Sequence, residues 1–376
     1  MQSRIIQLLQ LSITLAVALL GSRLLWPRMT SADRTLVLVL LIIFVLVSVY
    51  SFWSRPLPRG LIILAGIALV AWAAWSYYQQ HLRLQAVEAL ELKLSRLKWI
   101  AYEPLGFNPT QPDENIVRPA VIEAQLDAVR KEGFDGLITF ASDPISSEIP
   151  AIAVARGFDG VIMGIDKISE EDLKVAIDNR DNVDGYSVLH DQEARDSSPT
   201  PAEIVQAMDY LWSETRRPVT TTLRTDGYRA FPQLAEASDF LFPDVHATWY
   251  SLVDPDRLSE ETVRLVESVT GLRNELYPDK PILLKMISAP RCAVPGASES
   301  ARSEYFMSMV EQLKLKASAP ARVYLSVFSA YDARWKTSDE KWPKGEDCLG
   351  LFDGNNDTKS YSPRESVNVL NWPIPR

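Results

Sequence analysis

Cysteine and histidine are nearly missing from this chain, which has two of the first and three of the second in 376 residues. Neither Cys292 nor Cys348 has a histidine beside it, and no Gly-x-Ser-x-Gly elbow occurs, so nucleophilic acyl transfer has no support. His190 and His246 lack a third ligand at a recognisable spacing, so no metal is expected. Basic patches interleaved with aromatics are absent and the formal net charge is -9, which argues against nucleic acid as a partner. The turn "EPLGFNP" is not a glycine-rich phosphate cradle, so no dinucleotide or other cofactor is expected.

Charge is also missing from three long runs near the amino end. Residues 5–22, 36–53 and 60–78 carry no charged side chain, and each is close to the ~20 residues that span a bilayer as a helix. Three transmembrane helices are therefore expected, with the lipid bilayer as a partner. Trp26, Trp53, Trp75, Tyr77 and Tyr78 stand at the ends of the runs, as interfacial aromatic belts do. The first run is followed by Arg23 and the bulky Leu24-Leu25-Trp26 rather than by small residues, which speaks against a cleaved signal peptide. Residues 80–98 then place Val87, Leu90, Leu94 and Leu97 at 3-4-3 spacing between charges. That is the pattern of an amphipathic helix, packing either on its own domain or against a partner helix. The expected organisation is thus 1–79 in the membrane, 80–98 as a linker helix and 99–376 as a folded domain.

From Trp99 the text alternates between strand and helix patterns. "GFDGLITF" begins at Gly133, "GFDGVIMG" at Gly157, and "VDGYSVL" at Val183; their Asp-Gly pairs recur after 24 and then 25 residues. A structural step is being repeated. Further strands are expected at 218–223, 240–246, 281–287 and 322–330, with helices at 120–131, 147–156, 170–179, 202–215, 259–276 and 298–316. With 99–102 as the first strand, eight βα steps predict a (β/α)8 barrel, the TIM-barrel fold. The competing doubly wound sheet would require the phosphate turn that is missing.

In such a barrel the site lies at the carboxyl ends of the strands. Those ends present Glu103, Asp143, Asp166, His190 to Glu193, Arg224, Asp226, His246, Trp249, Tyr250, Tyr331, Asp332 and Trp335. Carboxylates and flat aromatic rings together suit a sugar, the acids taking its hydroxyls and the rings its apolar faces. Glu103 has the alternative of capping the loop beside Pro104, Asp332 that of pairing with Arg334 or Lys336, and Trp249 and Trp335 that of roofing the core.

Three segments carry a resemblance. "AYEPLGFNPTQP", "SDFLFPDVHATWY" and above all "FSAYDARWK" followed by "LGLFDGNNDTKSY" are similar to glycoside hydrolase family 17, the β-1,3-glucanases and glucanosyltransferases, in its bacterial membrane-attached form. The resemblance implies a (β/α)8 barrel and a polysaccharide or oligosaccharide of the β-glucan type as partner. It also implies two catalytic glutamates, an acid/base in an Asn-Glu pair ending strand four and a nucleophile in a Glu-x-Gly-Trp-Pro segment ending strand seven. Gln192-Glu193 fits the first place, with Glu193 the possible acid/base and Asp191 or Gln192 fitting if the gap is set differently. At the second stands "KMISAP", in which Pro290 matches the motif's proline and Met286 falls on the nucleophile. A thioether cannot form a glycosyl ester, and Lys285 beside it is protonated unless strongly desolvated.

Three readings follow for the domain. It binds a glycan without cleaving it; it cleaves with a carboxylate from elsewhere on the rim, such as Glu103 or Asp332; or it is a structural subunit contacting other membrane proteins. Cys292 after strand seven and Cys348 after strand eight would lie on adjacent loops of one rim, so a disulfide is geometrically plausible, with two free thiols as the alternative. A disulfide would indicate an oxidising compartment. Arginines flanking the apolar runs lean the other way, since Arg83, Lys93, Arg96 and Lys98 follow the third run. The cysteines and the resemblance together set the expectation of an extracytoplasmic barrel.

Overall fold

A computed structural model describes residues 59–108, 117–139, 146–189, 199–247, 249, 251–313, 321–338 and 342–370, with backbone alone at 59–67, 69, 70 and 286. The predicted spans 5–22 and 36–53 lie outside these residues, as do most apolar side chains of the third, 60–78. Among the described residues no helix is long and apolar enough to cross a membrane. The chain divides into two compact units, Met1–Leu82 and Arg83–Arg376. The first contains the start of helix α1 (Arg59–Arg96), where Trp75, Tyr77 and Tyr78 are exposed.

The second unit is a closed parallel barrel. Strands β1 (Trp99–Ala101), β2 (Gly136–Thr139), β3 (Gly160–Ile165), β4 (Gly185–Val188), β5 (Val219–Arg224), β6 (Phe242–Asp244), β7 (Ile282–Ile287) and β8 (Val323–Val327) pair in chain order, and β8 returns to β1. Helices α2 (Pro119–Lys131), α3 (Ile149–Ala155), α4 (Glu170–Asp178), α5 (Pro201–Thr215), α6 (Gly227–Ala230), α7 (Pro232–Ala237), α8 (Pro255–Leu276) and α9 (Glu299–Leu313) run between the strands. This is the (β/α)8 barrel that the repeated steps predict. The pair α6 and α7 was not expected, and neither was the antiparallel hairpin of β9 (Phe352–Asn355) and β10 (Ser360–Pro363), which precedes α10 (Glu365–Asn368).

The repeated Gly-Phe-Asp-Gly words have two separate causes. Gly133 and Gly157 sit just past the ends of α2 and α3 with φ of 81° and 86°, the left-handed conformation that glycine adopts without penalty. Gly136 and Gly160, by contrast, are there for space. A Cβ on either would lie 2.4 Å or 2.6 Å from the indole of Trp99, which fills the amino-terminal floor of the barrel. Gly185 continues the series, with Leu90 3.2 Å from where its Cβ would be.

That floor is closed by the last turns of α1. Leu90 and Leu94 pack in one buried cluster with Trp99, Ile138, Ile162, Phe240, Phe242, Leu283 and Tyr324. Polar side chains of the same helix are tied to strand ends: Arg83 Nε donates to Asp239 at 2.5 Å, Lys93 Nζ to Asp184 at 2.7 Å, and Glu91 accepts from Arg322 Nε and the Tyr324 hydroxyl, both at 2.8 Å. The amphipathic helix expected at 80–98 therefore packs, from Arg83 onward, on the barrel itself. Above the floor the interior turns polar, with Ser187 and Thr222 hydroxyls 3.1 Å apart and Ser326 donating to Leu284 O at 2.7 Å. Hydrogen bonding inside the barrel keeps these burials from costing stability.

Candidate functional site

The carboxyl-terminal rim is assembled from loops that leave the strands and from the segment after β8. Glu103 follows β1 and is half-buried; its Oε1 accepts from Trp335 Nε1 at 2.6 Å. The ring of Trp335 is thereby held in a fixed plane. Trp342 meets it edge to face, with centroids 5.5 Å apart and planes at 89°, and both rings are half-buried. Two half-buried indoles at right angles, with a carboxylate beside one of them, form the part of the rim best suited to a sugar.

Behind that wall lies a buried polar cluster. Lys336 Nζ is 4.2 Å from the Trp342 ring centre, 5.6 Å from that of Phe328 and 5.7 Å from that of Trp335, a cation–π cage. The same ammonium donates to Glu346 Oε2 at 3.3 Å, and both side chains are under a tenth exposed. Glu346 Oε1 in turn lies 3.5 Å from His246 Nε2, in an alignment too poor for a hydrogen bond. His246 stacks on Trp249 at 3.9 Å between ring centres. Trp249 is fully buried, so it offers no face to a ligand and roofs the core instead.

Asp332 also differs from its expected place. Its side chain is 3% exposed, and its Oδ2 accepts from Arg291 at 2.5 Å and Arg364 at 2.8 Å, while Oδ1 accepts from Gly350 N at 2.9 Å. Burial alone would raise this carboxyl, but the two guanidiniums outweigh it and hold Asp332 below the usual carboxylate range. Neither Arg334 nor Lys336 is the partner that sequence proximity suggested. Asp332 fastens the segment after β8 to the barrel, and its oxygens are committed to that task. Gly350 is small for the same reason, since a Cβ there would lie 2.4 Å from Asp332 N.

On β7, Leu283 belongs to the floor cluster, and the pairing with β8 shifts register between Leu284 and Ile287, so Lys285 stands in an irregular stretch of the strand. Lys285 is 2% exposed and its Cα is paired with that of Asp244 on β6. The Met286 side chain lies outside the described residues. So do Tyr250 and residues 190–198, which include Glu193 and the alternatives Asp191 and Gln192. Asp166, Arg224 and Asp226 are exposed on the rim. Cys292 and Cys348 are joined in a disulfide with Cα atoms 5.9 Å apart, tying the loop after β7 to the segment that carries Trp342 and Glu346.

Trp342, Lys336 and Glu346 were not singled out as site residues in the sequence. Sequence proximity offers Lys336 only as an ion-pair partner for Asp332, and Trp342 and Glu346 lie farther beyond β8, where only the fold returns them to the rim. The "RWK" word carries Lys336 beside Trp335, and that adjacency was the one signal available.

No protein-family model matches the chain, and no curated protein sequence matches it. Solved structures do. A β-glucuronidase from Ruminococcus gnavus in complex with D-glucaro-d-lactam aligns with a TM-score of 0.55 at 14% identity, over 73% of this chain and 48% of that one. A GH2 β-galacturonidase from Eisenbergiella tayi bound to galacturonate aligns with a TM-score of 0.50 at 14% identity, over 73% and 50%. The chain spans about half the length of these structures. At such identity the likeness is one of fold: residues from Trp99 onward build a (β/α)8 barrel of the kind that these glycoside hydrolases carry.

Proposed function

We propose that the barrel is a membrane-tethered, extracytoplasmic glycan-binding domain that engages a β-glucan-type polysaccharide without hydrolysing it by double displacement. The observation that carries this reading is the Trp335–Trp342 corner braced by Glu103, an aromatic surface at the carboxyl-terminal rim where barrels of this kind bind ligands. Tethering is supported by the three uncharged runs of the sequence and by Trp75, Tyr77 and Tyr78, exposed at the end of the third. Extracytoplasmic placement is supported by the disulfide. Loss of hydrolysis is supported by Met286 on β7, since a thioether cannot attack an anomeric carbon. Resemblance to glycoside hydrolase family 17 supports the β-glucan assignment.

The test uses the full chain on a β-1,3-glucan affinity gel. Wild type should be retarded, Trp335→Ala should run free, and neither should release reducing ends. Met286→Glu is expected to restore slow release if Glu193 serves as acid/base. Reducing-end release by wild type would overturn the non-hydrolytic reading.

A second reading, a structural subunit contacting other membrane proteins, is favoured by one observation. Trp249 and Asp332, two residues expected to touch sugar, are consumed inside the fold. Under that reading no glycan retards the chain, and crosslinking in membranes yields a stable partner that survives Trp335→Ala.

A further inference from the structure

The two indoles of the rim corner are held by different means. Trp335 is pinned through its N–H, which Glu103 accepts at 2.6 Å. No hydrogen bond fixes the Trp342 indole among the described residues; it meets Trp335 edge to face at 5.5 Å and lies 4.2 Å from the Lys336 ammonium. That ammonium also stands 5.7 Å from the Trp335 ring centre, so one cation serves both rings.

The ammonium is itself fixed in place. Lys336 lies on the turn Arg334–Ser338, and its Nζ donates at 3.3 Å to Glu346 on the turn Glu346–Cys348. Two further links fasten these turns: the Thr337 hydroxyl donates to Asp347 at 2.8 Å, and Cys348 is bonded to Cys292 on the loop after β7. Gly345 leads into the second turn with φ of 94°, and a Cβ there would lie 2.9 Å from Pro290. The Lys336 side chain is only 7% exposed. Burial removes water as a competing partner and strengthens the pull between a cation and an aromatic ring.

We propose that Lys336 is the positioning residue of the corner: it sets the plane of Trp342 against the pinned Trp335 so that both rings meet one glycan chain, and Glu346 anchors its charge. This rests on the glycan-binding reading above. A buried ion pair that served stability alone could be replaced by two uncharged side chains of similar volume without moving either indole. The attraction of the cation for the ring does not survive that replacement.

Two variants of the full chain isolate the cation. Glu346→Gln keeps the ammonium at the rings, and Lys336→Met/Glu346→Gln removes it without leaving a buried charge unpaired. The chain has ten tryptophans, so the signal of the corner is the circular dichroism of wild type minus that of Trp342→Phe, the exciton couplet of two indoles 5.5 Å apart. Glu346→Gln should keep the couplet and bind a β-1,3-gluco-oligosaccharide within about threefold of wild type. The double variant should lose the couplet and bind about tenfold more weakly. Equal couplets or equal affinities in the two variants would overturn the proposal. So would loss of the far-ultraviolet helix signal in the double variant, since the pair would then serve folding. No glucan binding by wild type, with the couplet still lost in the double variant, would sink the glycan reading and leave the ring-setting role standing.

Discussion

Trp335 and Asp332 stand three positions apart and illustrate how differently two rim residues are used. Trp335 stays half-buried, with its indole N–H spent on Glu103. Asp332 keeps nothing available, and removing its charge would leave Arg364, itself 5% exposed, with the largely exposed Asp353 as its remaining carboxylate partner. Breaking a buried pair from one side costs about 3–5 kcal/mol, so Asp332→Asn should lower the urea midpoint strongly. The carboxyl is depressed in the fold, so its stabilisation is present above the unfolded-state value of about 3.9 and is lost as pH falls through the folded value. Acid titration of stability should therefore be flatter below about pH 4 in Asp332→Asn than in wild type. Gly160→Ala tests the floor: its Cβ would overlap the Trp99 indole, and overpacking of this kind costs about 1–3 kcal/mol, read as a shift in denaturation midpoint. The sequence made Asp-Gly visible as a repeat but attached it to turns. The physical cause for Gly136 and Gly160 is a tryptophan some 40 to 60 positions away along the chain, a distance over which local patterning says nothing.

At the level of elements, α1 and the segment after β8 matter more than their patterns suggest. The 3-4 spacing of Val87, Leu90 and Leu94 was legible, but not that Leu90 and Leu94 would plug the barrel floor. Leu94→Ala should cost about 2–5 kcal/mol, and a chain starting at residue 99 should fail to fold where one starting at 83 succeeds, as far-ultraviolet circular dichroism would report. The strands were legible because each is a short apolar run with a helix pattern behind it. The hairpin β9–β10 was not, since most of its residues are exposed, only Phe352 is buried, and no apolar alternation marks it. Cys292 and Cys348 are 56 positions apart, and a closed loop of that length stabilises by about 4 kcal/mol in the chain-entropy account. Reduction should lower the thermal midpoint by a matching amount and leave the barrel folded, with Trp342 losing its fixed angle to Trp335.

For the whole molecule, the barrel is one observation and its use is another. Eight βα steps could be counted from the sequence because the repeat carries its own punctuation. Assignment of the site was harder, since Glu193 rests on a motif match and Trp342, Lys336 and Glu346 reach the rim only through tertiary folding. The central claim is that this barrel holds a glycan and does not cut it. The most direct measurement incubates the full chain with β-1,3-gluco-oligosaccharides and follows binding and reducing-end release in the same sample. Saturable binding that is lost in Trp335→Ala, with no new reducing ends, is the predicted result; reducing ends from wild type, or no binding at all, would contradict it.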